Sequence, residues 1–395
     1  MKKICVIAYT LYSADHRVQR EAETLVRRGD QVDLISLAES GRPATETAEG
    51  VHVFRVGFTR YRGSSSVNYI ASYFRFLFSA AFKVTRLHLK NKYDVVYVHT
   101  MPDFMVLAGL IPKLLGAKLV LDIHDMMPEL YVSKFGVTHK HPLIRFLAFQ
   151  EQFSARIADK VVCVHKPHQD VLTGRGTPAS KMTILPNLTD PLIFRTDPNI
   201  KPDTGGFRIV YHGTIAHRLG PDLAVDAFAK IAASCPGARL EIYGSGDSAD
   251  EVEEAIERSG VADRIVFPGK IFSIRSVAQM ISGAAIGIVP NRRDPSTEYM
   301  LPVKMLEYAH FGIPVIAPRL LAIQHYFTDE NVLYYEPGNV DELAEAIHRL
   351  YSDPALRTRL SEGIVRFAEG FNWETFKLDL YKVIDDWPDR KTAAV

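Results

Sequence analysis

The sequence predicts an α/β protein built from two Rossmann-like, doubly wound domains. Its 395 residues are enough for two domains of ordinary size. Short apolar runs that suit buried parallel strands alternate along the chain with segments of helical periodicity. Residues 195–207 combine prolines, glycines and polar residues, which predicts a linker. We therefore expect one domain at residues 1–195, a second at 208–370 and a final segment at 371–395.

Composition excludes several classes of protein. The chain has 47 basic and 46 acidic residues, so the molecule as a whole does not look like a nucleic-acid binder. Its three cysteines are scattered and predict neither a disulfide framework nor a metal cluster. Residues 1–10 are too short for the apolar core of a signal peptide. No uncharged apolar run reaches the roughly 18 residues that a membrane span needs. We expect a cytoplasmic protein.

The first domain opens with a βαβ unit, with strands at residues 4–9 and 31–37 and a helix at 17–28. The connecting loop, residues 10–16, has no glycine. The G-x-G-x-x-G fingerprint is therefore absent, which argues against a dehydrogenase. Arg17, where the helix begins, either faces a bound acceptor or is part of a solvated helix start.

Two further predicted strands, residues 94–99 and 118–124, end in His99 and His124. In open α/β sheets, ligands bind beyond the carboxyl ends of the strands, so both histidines are candidate site residues. The alternative is a strand end followed by a helix that Asp125 caps. A metal site made of His124 and Asp125 is poor, because the two are adjacent and no further ligand has usable spacing.

In the second domain, residues 302–312 are predicted to form a helix that begins at Pro302 and stops at Gly312. Leu301 before it is a poor cap, so the first N–H groups stay open to a phosphate. Lys304 and Glu307 share one helical face, where the lysine would hold phosphate and the carboxylate ribose hydroxyls. The alternative is an ordinary amphipathic helix with a surface Lys–Glu pair.

The segment PVKMLEYAHFGIPVIA, residues 302–317, resembles the nucleotide-sugar-binding segment of family 4 glycosyltransferases, retaining enzymes of the GT-B fold. The resemblance spans nearly the whole chain. It implies two facing Rossmann-like domains and a C-terminal helix that crosses back to the first domain. It also implies that Glu307 holds the ribose of a nucleoside-diphosphate sugar. His124 corresponds to the family's histidine near the reacting carbon.

The resemblance also suggests the other donor contacts. Family members grip the diphosphate with two basic residues in the loop GTIAHRLG, residues 213–220, and here Arg218 is the candidate, acting together with Lys304. The family's upstream glutamate corresponds to Tyr299, so either Glu298 or the backbone from Tyr299 to Leu301 would contact the sugar. The remaining candidates are two glycines that admit close backbone approach and a lysine near the base: Gly213, Gly244 and Lys270.

No DxD-type motif is evident in the donor loops, so we expect no metal and no cofactor. Fixed positive side chains would neutralise the leaving diphosphate instead.

Residues 50–93 contain no Asp or Glu but many aromatic and basic residues. Residues 69–89 read as an amphipathic helix with Arg75, Lys83 and Arg86 away from its apolar face, which favours an anionic membrane surface and a lipid-linked acceptor. The alternative is a domain helix with buried aromatics and solvated bases.

Together these features predict a glycosyltransferase that moves a sugar from a nucleoside-diphosphate sugar to a glycan or polyprenyl-linked acceptor with retention, in surface polysaccharide biosynthesis. It would work in the cytoplasm, with a peripheral position on the inner face of the plasma membrane left open. The alternatives are an epimerase or phosphorylase of the same fold, and a non-catalytic sugar-nucleotide-binding protein.

Overall fold

The computed structural model describes residues 1–59, 61, 66–189, 193–194 and 206–387. The chain divides into two compact α/β units, Met1–Asn187 with Glu374–Val395, and Leu188–Trp373. Most of the predicted linker at residues 195–207 lies outside the described residues, as do Arg60 and Arg62 of the acid-free stretch.

Unit 1 is built on an eight-stranded sheet in the order β3-β4-β2-β1-β5-β6-β7-β8. Its strands are β1 Lys3–Ile7, β2 Gln31–Ser36, β3 Thr45–Ala48, β4 Val51–Arg55, β5 Val95–His99, β6 Lys118–Ile123, β7 Lys160–Cys163 and β8 Met182–Ile184. All pairings are parallel except the one between β3 and β4. The polar strand β3 at the sheet edge was not predicted, because it lacks the apolar run that marks a buried strand.

The helices of unit 1 that precede the second unit are α1 His16–Arg27, α2 Ser66–Asn91, α3 Leu110–Leu114, α4 Met127–Phe135, α5 Pro142–Ile157 and α6 Lys166–Gly174. The sequence of residues 105–115 predicts a single helix, and this prediction is wrong. A 3-10 segment, Asp103–Gly109, leads into the short α3 instead. A physical reason is that Pro112 lacks an N–H donor for a continuous α-helix and Gly109 packs tightly on β6, where a Cβ would lie 2.4 Å from Leu119 Cδ1.

Unit 2 contains a six-stranded parallel sheet in the order β11-β10-β9-β12-β13-β14. Its strands are β9 Phe207–His212, β10 Ala238–Tyr243, β11 Ile265–Val266, β12 Ile286–Ile288, β13 Val315–Pro318 and β14 Val332–Tyr335. Its helices are α7 Pro221–Ile231, α8 Ala249–Arg258, α9 Ile274–Ile281, α10 Pro295–Glu298, α11 Val303–His310, α12 Leu321–Tyr326, α13 Val340–Ser352 and α14 Pro354–Gly370. The apolar runs of the central strands form its core.

The C-terminal helix α15, Trp373–Asp385, clusters mainly with unit 1, as the GT-B resemblance implied. Arg28 binds Asp385 at 2.7 Å, and Lys160 Nζ donates to the carbonyl oxygen of Lys382 at 2.9 Å. The sequence of residues 362–387 predicts one continuous helix, and this prediction is wrong. The chain breaks between α14 and α15, where the Asn372 side chain donates to the carbonyl oxygen of Glu369 at 2.6 Å.

Within the described residues, none of the helices is both long and apolar enough to cross a bilayer.

Candidate functional site

The candidate donor site lies in unit 2, where β9 ends and α11 begins. His212 is the last residue of the central strand β9, and the loop that follows starts with Gly213. Helix α11 begins at Val303, one residue later than predicted, with Pro302 as its N-cap and no side chain bonded to its first N–H groups. It ends before Gly312, whose φ of +63° suits the predicted stop. The helix therefore presents an uncapped, positive N-terminus.

Lys304, in the first turn of α11, has a buried ammonium nitrogen that makes no hydrogen bond to any described residue. This nitrogen lies 3.7 Å from the centroid of the Tyr211 ring, whose face attracts a cation. Burial lowers the pKa of Lys304 to about 7; the charge of Glu307 opposes this shift and that of Arg218 adds to it. An ammonium group with three donors and no acceptor is incomplete, and a bound anion would complete it.

Gly213 and Gly244 shape the space around this ammonium. Gly213 has a φ of +119°, and a Cβ there would lie 3.5 Å from Lys304 Nζ. A Cβ on Gly244 would lie 1.8 Å from the carbonyl oxygen of Gly213. Gly244 was expected to admit a ligand close to its backbone, but its close neighbour is the protein's own chain. It therefore acts by letting the Gly213 loop pack against the end of β10.

Glu307 is held by His212, a residue that the sequence analysis did not select. The Tyr308 hydroxyl donates to the carbonyl oxygen of Val210 at 3.0 Å, so it can only accept from His212 Nδ1, 3.1 Å away. His212 Nε2 then forms a hydrogen bond with Glu307 Oε2. Glu307 Oε1 has no further hydrogen bond to the described residues.

The geometry rules out a solvated surface pair, since Glu307 is only 8% exposed and the Lys304 ammonium is buried. The sequence feature that could have identified His212 is its position at the end of a central strand, directly before a glycine. His99 and His124 were selected on similar grounds.

Arg218 lies in the 3-10 turn His217–Leu219 that follows the Gly213 loop. The charge of Arg218 contributes to lowering the pKa of Lys304, after burial and against Glu307, so the two cations lie within electrostatic range of each other. Within the described part of the chain no carboxylate pairs with Arg218. By contrast, nearby Arg292 binds Asp222 at 2.9 Å. Two cations of which neither forms an ion pair with a carboxylate among the described residues are a natural site for a diphosphate.

Glu298 was one of the expected candidates for contact with the donor sugar, and Lys270 was expected near the base. Both carboxylate oxygens of Glu298 are occupied, by Arg293 at 2.8 Å and by the backbone N–H of Leu321 at 3.2 Å. The Glu298 side chain therefore links Arg293 to the start of α12, and we correct its assignment. The backbone from Tyr299 to Leu301 remains the candidate contact for the sugar. Lys270 is exposed after β11, with its Nζ 5.3 Å from the centroid of the Phe272 ring.

In unit 1, a buried polar cluster surrounds Asp122 at the end of β6. Arg17 binds both carboxylate oxygens of Asp122, at 2.9 and 3.0 Å, and its Nε lies 3.2 Å from Glu21. His99 Nδ1 lies 3.1 Å from Asp122. Burial alone would raise the pKa of Asp122, but the charges of Arg17 and His99 hold it well below its usual range. Arg17 was expected either to face a bound acceptor or to be part of a solvated helix start; its side chain is instead buried and paired with Asp122.

His124 lies at the edge of the same cluster and is the more accessible histidine, with 21% of its side chain exposed. Its Nδ1 is buried without a hydrogen-bond partner in the described structure and lies 4.0 Å from Asp122, too far for a hydrogen bond. Ligand atoms of His99, Asp122 and His124 come within 4.8 Å of one another, which suggests a metal site. The fit is poor, because the Arg17 guanidinium already neutralises Asp122 and would repel a cation.

The three basic residues predicted on the acceptor or membrane side lie on α2. Arg75 and Lys83 sit over aromatic rings, those of Phe58 at 4.3 Å and Phe54 at 4.5 Å. Arg86 is exposed.

Comparisons with known proteins agree with this arrangement. Residues 14–188 match a model described as "Glycosyl transferase 4-like domain", and residues 206–353 match "Glycosyl transferases group 1". An uncharacterized glycosyltransferase of Methanocaldococcus jannaschii is 23% identical over 92% of both chains. A phosphatidylinositol N-acetylglucosaminyltransferase component from Arabidopsis thaliana is 24% identical over 67% of this chain, but the match spans 55% of that protein.

Among solved structures, the Anabaena protein HepE, in complex with UDP and glucose, superposes with a TM-score of 0.73 at 16% identity, covering 97% of this chain and 99% of the other. At this identity the likeness concerns the fold. With both units matched to glycosyltransferase models and the predicted two-domain fold found, the chain belongs to the family 4 glycosyltransferases of the GT-B fold.

Proposed function

We propose that this glycosyltransferase takes a sugar from a nucleoside-diphosphate sugar and transfers it, with retention and without a metal ion, to a glycan or lipid-linked acceptor in polysaccharide biosynthesis. The observation that carries the donor class is the Lys304 ammonium, which is buried and has no acceptor among the described residues. An anion is the group that this site lacks.

Each part of the donor has a matching group in unit 2. The diphosphate would accept hydrogen bonds from the Lys304 ammonium, the Arg218 guanidinium and the uncapped N–H groups of α11. The ribose hydroxyls would donate to Glu307, which His212 keeps in place. UDP in the complex of the structurally similar HepE supports a nucleoside diphosphate, and leaves the base and sugar for this chain to be found by experiment.

Transfer leaves negative charge on the departing diphosphate. Lys304 and Arg218 would stabilise that charge at fixed positions, which is the work that a metal ion does in other transferases. This supports metal independence. His124 would lie against the donor sugar near the bond that breaks. Retention is the stereochemical outcome that membership of this family predicts.

The test is a thermal-shift screen of nucleoside diphosphates and their sugars, because a ligand of the folded state raises its melting temperature. Glu307→Gln and Lys304→Met should reduce the shift, whereas two surface controls, Glu345→Gln and Lys230→Met, should keep it. Transfer is then followed as nucleoside diphosphate released with an acceptor, and the anomeric configuration of the product is read by NMR.

The proposal fails if no nucleoside diphosphate shifts the melting temperature, or if the site variants respond like the controls. Binding without transfer to any glycan or lipid-linked acceptor would instead favour a non-catalytic sugar-nucleotide-binding protein. Release of an epimerised sugar without acceptor would identify an epimerase, and a requirement for orthophosphate would identify a phosphorylase.

A further inference from the structure

Unit 1 carries an extensive exposed apolar face. Thirteen of the nineteen large hydrophobic side chains that are exposed in the described structure fall within residues 70–153. They include every exposed phenylalanine of the described residues: Phe74, Phe78, Phe82, Phe135, Phe146, Phe149 and Phe153. Phe78 and Phe82 are 69% and 71% exposed, and Phe146 is 61% exposed. Scattered hydrophobic residues are normal on protein surfaces, but such clustering in one part of the chain is not.

The elements that bear these side chains pack on the same side of the sheet. Right-handed crossovers from β4 to β5, β5 to β6 and β6 to β7 all run in one direction along the sheet order, which puts α2, α3 and α5 on one face. Helix α2 packs on α3 and on residues 103–109, and α5 packs on residues 103–109 as well. Phe74 of α2 stacks on Phe104 with ring centroids 5.2 Å apart. We call the outer surface of α2, α3 and α5 the aromatic face.

The exposed charges on the helices of the aromatic face are basic, and the half-buried Asp159, which follows α5, pairs with Lys113 of α3 at 2.9 Å. Helices α2 and α3 contain no Asp or Glu. The acids on residues 103–109, α4 and α5 are all buried: Asp103, Glu129 and Glu151 are 1%, 3% and 1% exposed. The basic side chains, in contrast, reach solvent, and several of them form no ion pair with a carboxylate of the described structure, among them Arg86, Lys90 and Arg145. The sequence predicted a membrane contact for α2 alone, whereas the aromatic face also includes α3 and α5.

We propose that the aromatic face docks on an anionic lipid bilayer, with its phenylalanine side chains at the headgroup boundary and its basic side chains among anionic headgroups. Apolar groups without exposed acids suit this partner, because aromatic side chains partition into the interface while lysine and arginine are drawn to negative lipid. The proposal does not depend on the donor site, since it concerns unit 1 alone and is read out without turnover.

The experiment is co-sedimentation of the full chain with vesicles of phosphatidylcholine, with and without phosphatidylglycerol, at low and high salt. The charge variant is Arg86→Glu, Lys90→Glu and Arg145→Glu. Its matched control is Arg275→Glu, Arg349→Glu and Arg359→Glu, three exposed arginines of unit 2 that give the same change in net charge. The apolar variant is Phe78→Ser, Phe82→Ser and Phe146→Ser. Its control is Ile271→Ser, Leu321→Ser and Leu378→Ser, exposed aliphatic residues that do not belong to α2, α3 or α5.

The parent and both controls should bind vesicles that contain phosphatidylglycerol, and binding should weaken with salt. The charge variant should lose about a hundredfold in partition coefficient, and the apolar variant should lose binding to the vesicles that contain phosphatidylglycerol. Unchanged melting temperatures show that the variants fold; if a triple variant does not, Arg86→Gln with Lys90→Gln replaces it.

The proposal is overturned if the parent does not sediment with anionic vesicles, or if the variants bind like their controls. It is also overturned if sedimentation equilibrium without lipid shows a dimer that the apolar variant dissociates, because a second copy would then cover the face.

Discussion

Binding of a nucleoside diphosphate should take up a proton at Lys304. In the free protein, burial lowers the pKa of this ammonium to about 7, although Glu307 partly opposes the shift. A diphosphate oxygen beside the ammonium favours its charged form, so the pKa of Lys304 should rise on binding toward its usual value near 10.5. The number of protons taken up on binding therefore depends on the fraction of Lys304 that is neutral in the free protein.

The magnitudes follow from that pKa. With a pKa of about 7, Lys304 is about 10% protonated at pH 8 and about 90% protonated at pH 6. Binding should therefore take up about 0.9 proton at pH 8 and about 0.1 proton at pH 6. Integrated over this window, the uptake corresponds to an increase of about tenfold in Kd from pH 6 to pH 8, or about 1.4 kcal/mol. The sign is definite: raising the pH removes the proton from the free site and weakens binding.

Isothermal titration calorimetry in buffers of different ionisation enthalpy measures this uptake, as the slope of observed enthalpy against buffer enthalpy. The ligand is the nucleoside diphosphate that gives the largest thermal shift. Lys304→Met is the control, because it removes the titrating group but keeps any ionisation of the ligand. The reasoning is refuted if the parent and Lys304→Met give the same slope at pH 8, since the ammonium would then not meet the diphosphate.

Three further outcomes are expected. Glu307→Gln and His212→Ala should each weaken nucleotide binding by about 1–3 kcal/mol, measured by calorimetry, with little change in melting temperature, because the carboxylate or its support is lost from a partly dry site. If both variants bound the nucleotide as tightly as the parent, the His212–Glu307 pair would not be the group that binds the ribose. His124→Ala should lower kcat more than it raises the donor KM in steady-state kinetics, whereas normal turnover would make this histidine structural. Dialysis against EDTA should leave the transfer rate unchanged; a loss that magnesium or manganese restores would contradict charge neutralisation by Lys304 and Arg218.

The sequence was informative where the controlling interactions are local. Lys304 and Glu307 lie one helical turn apart, so their common face follows from the helix period alone. Gly312 marks the end of α11 through its own backbone conformation. The alternating strands and helices follow from periodicity in the same way, which is why the sheet order of two doubly wound units agrees with the predicted fold class.

The parts that were missed or misassigned depend on partners far away in the chain. Glu307 meets His212 across 95 residues, and Arg17 meets Asp122 across 105. No local pattern in the sequence reveals that the Arg17 guanidinium is paired with Asp122 inside unit 1. Gly244 was taken for a ligand contact because a glycine after a strand is typical of one. The need for it comes from the carbonyl oxygen of Gly213 on the neighbouring strand end.

Helix α5 shows why periodicity alone cannot tell an inner face from an outer one. Phe146, Phe149 and Phe153 do share a face, as their spacing predicted, but that face is exposed. The inner face also contains polar residues, with Gln150 hydrogen-bonded to Asp103 at 3.3 Å and Glu151 bound by Arg175 at 2.9 Å.

Burying these polar groups is tolerated because each has a partner, while burial of a phenylalanine would have contributed about 1.5–3 kcal/mol to folding. A helix that exposes its aromatic side and buries paired polar groups forgoes that stabilisation. The aromatic side chains of α5 therefore suit a surface that is covered by an apolar phase, which is the same requirement that the acid-free helix α2 satisfies beside it.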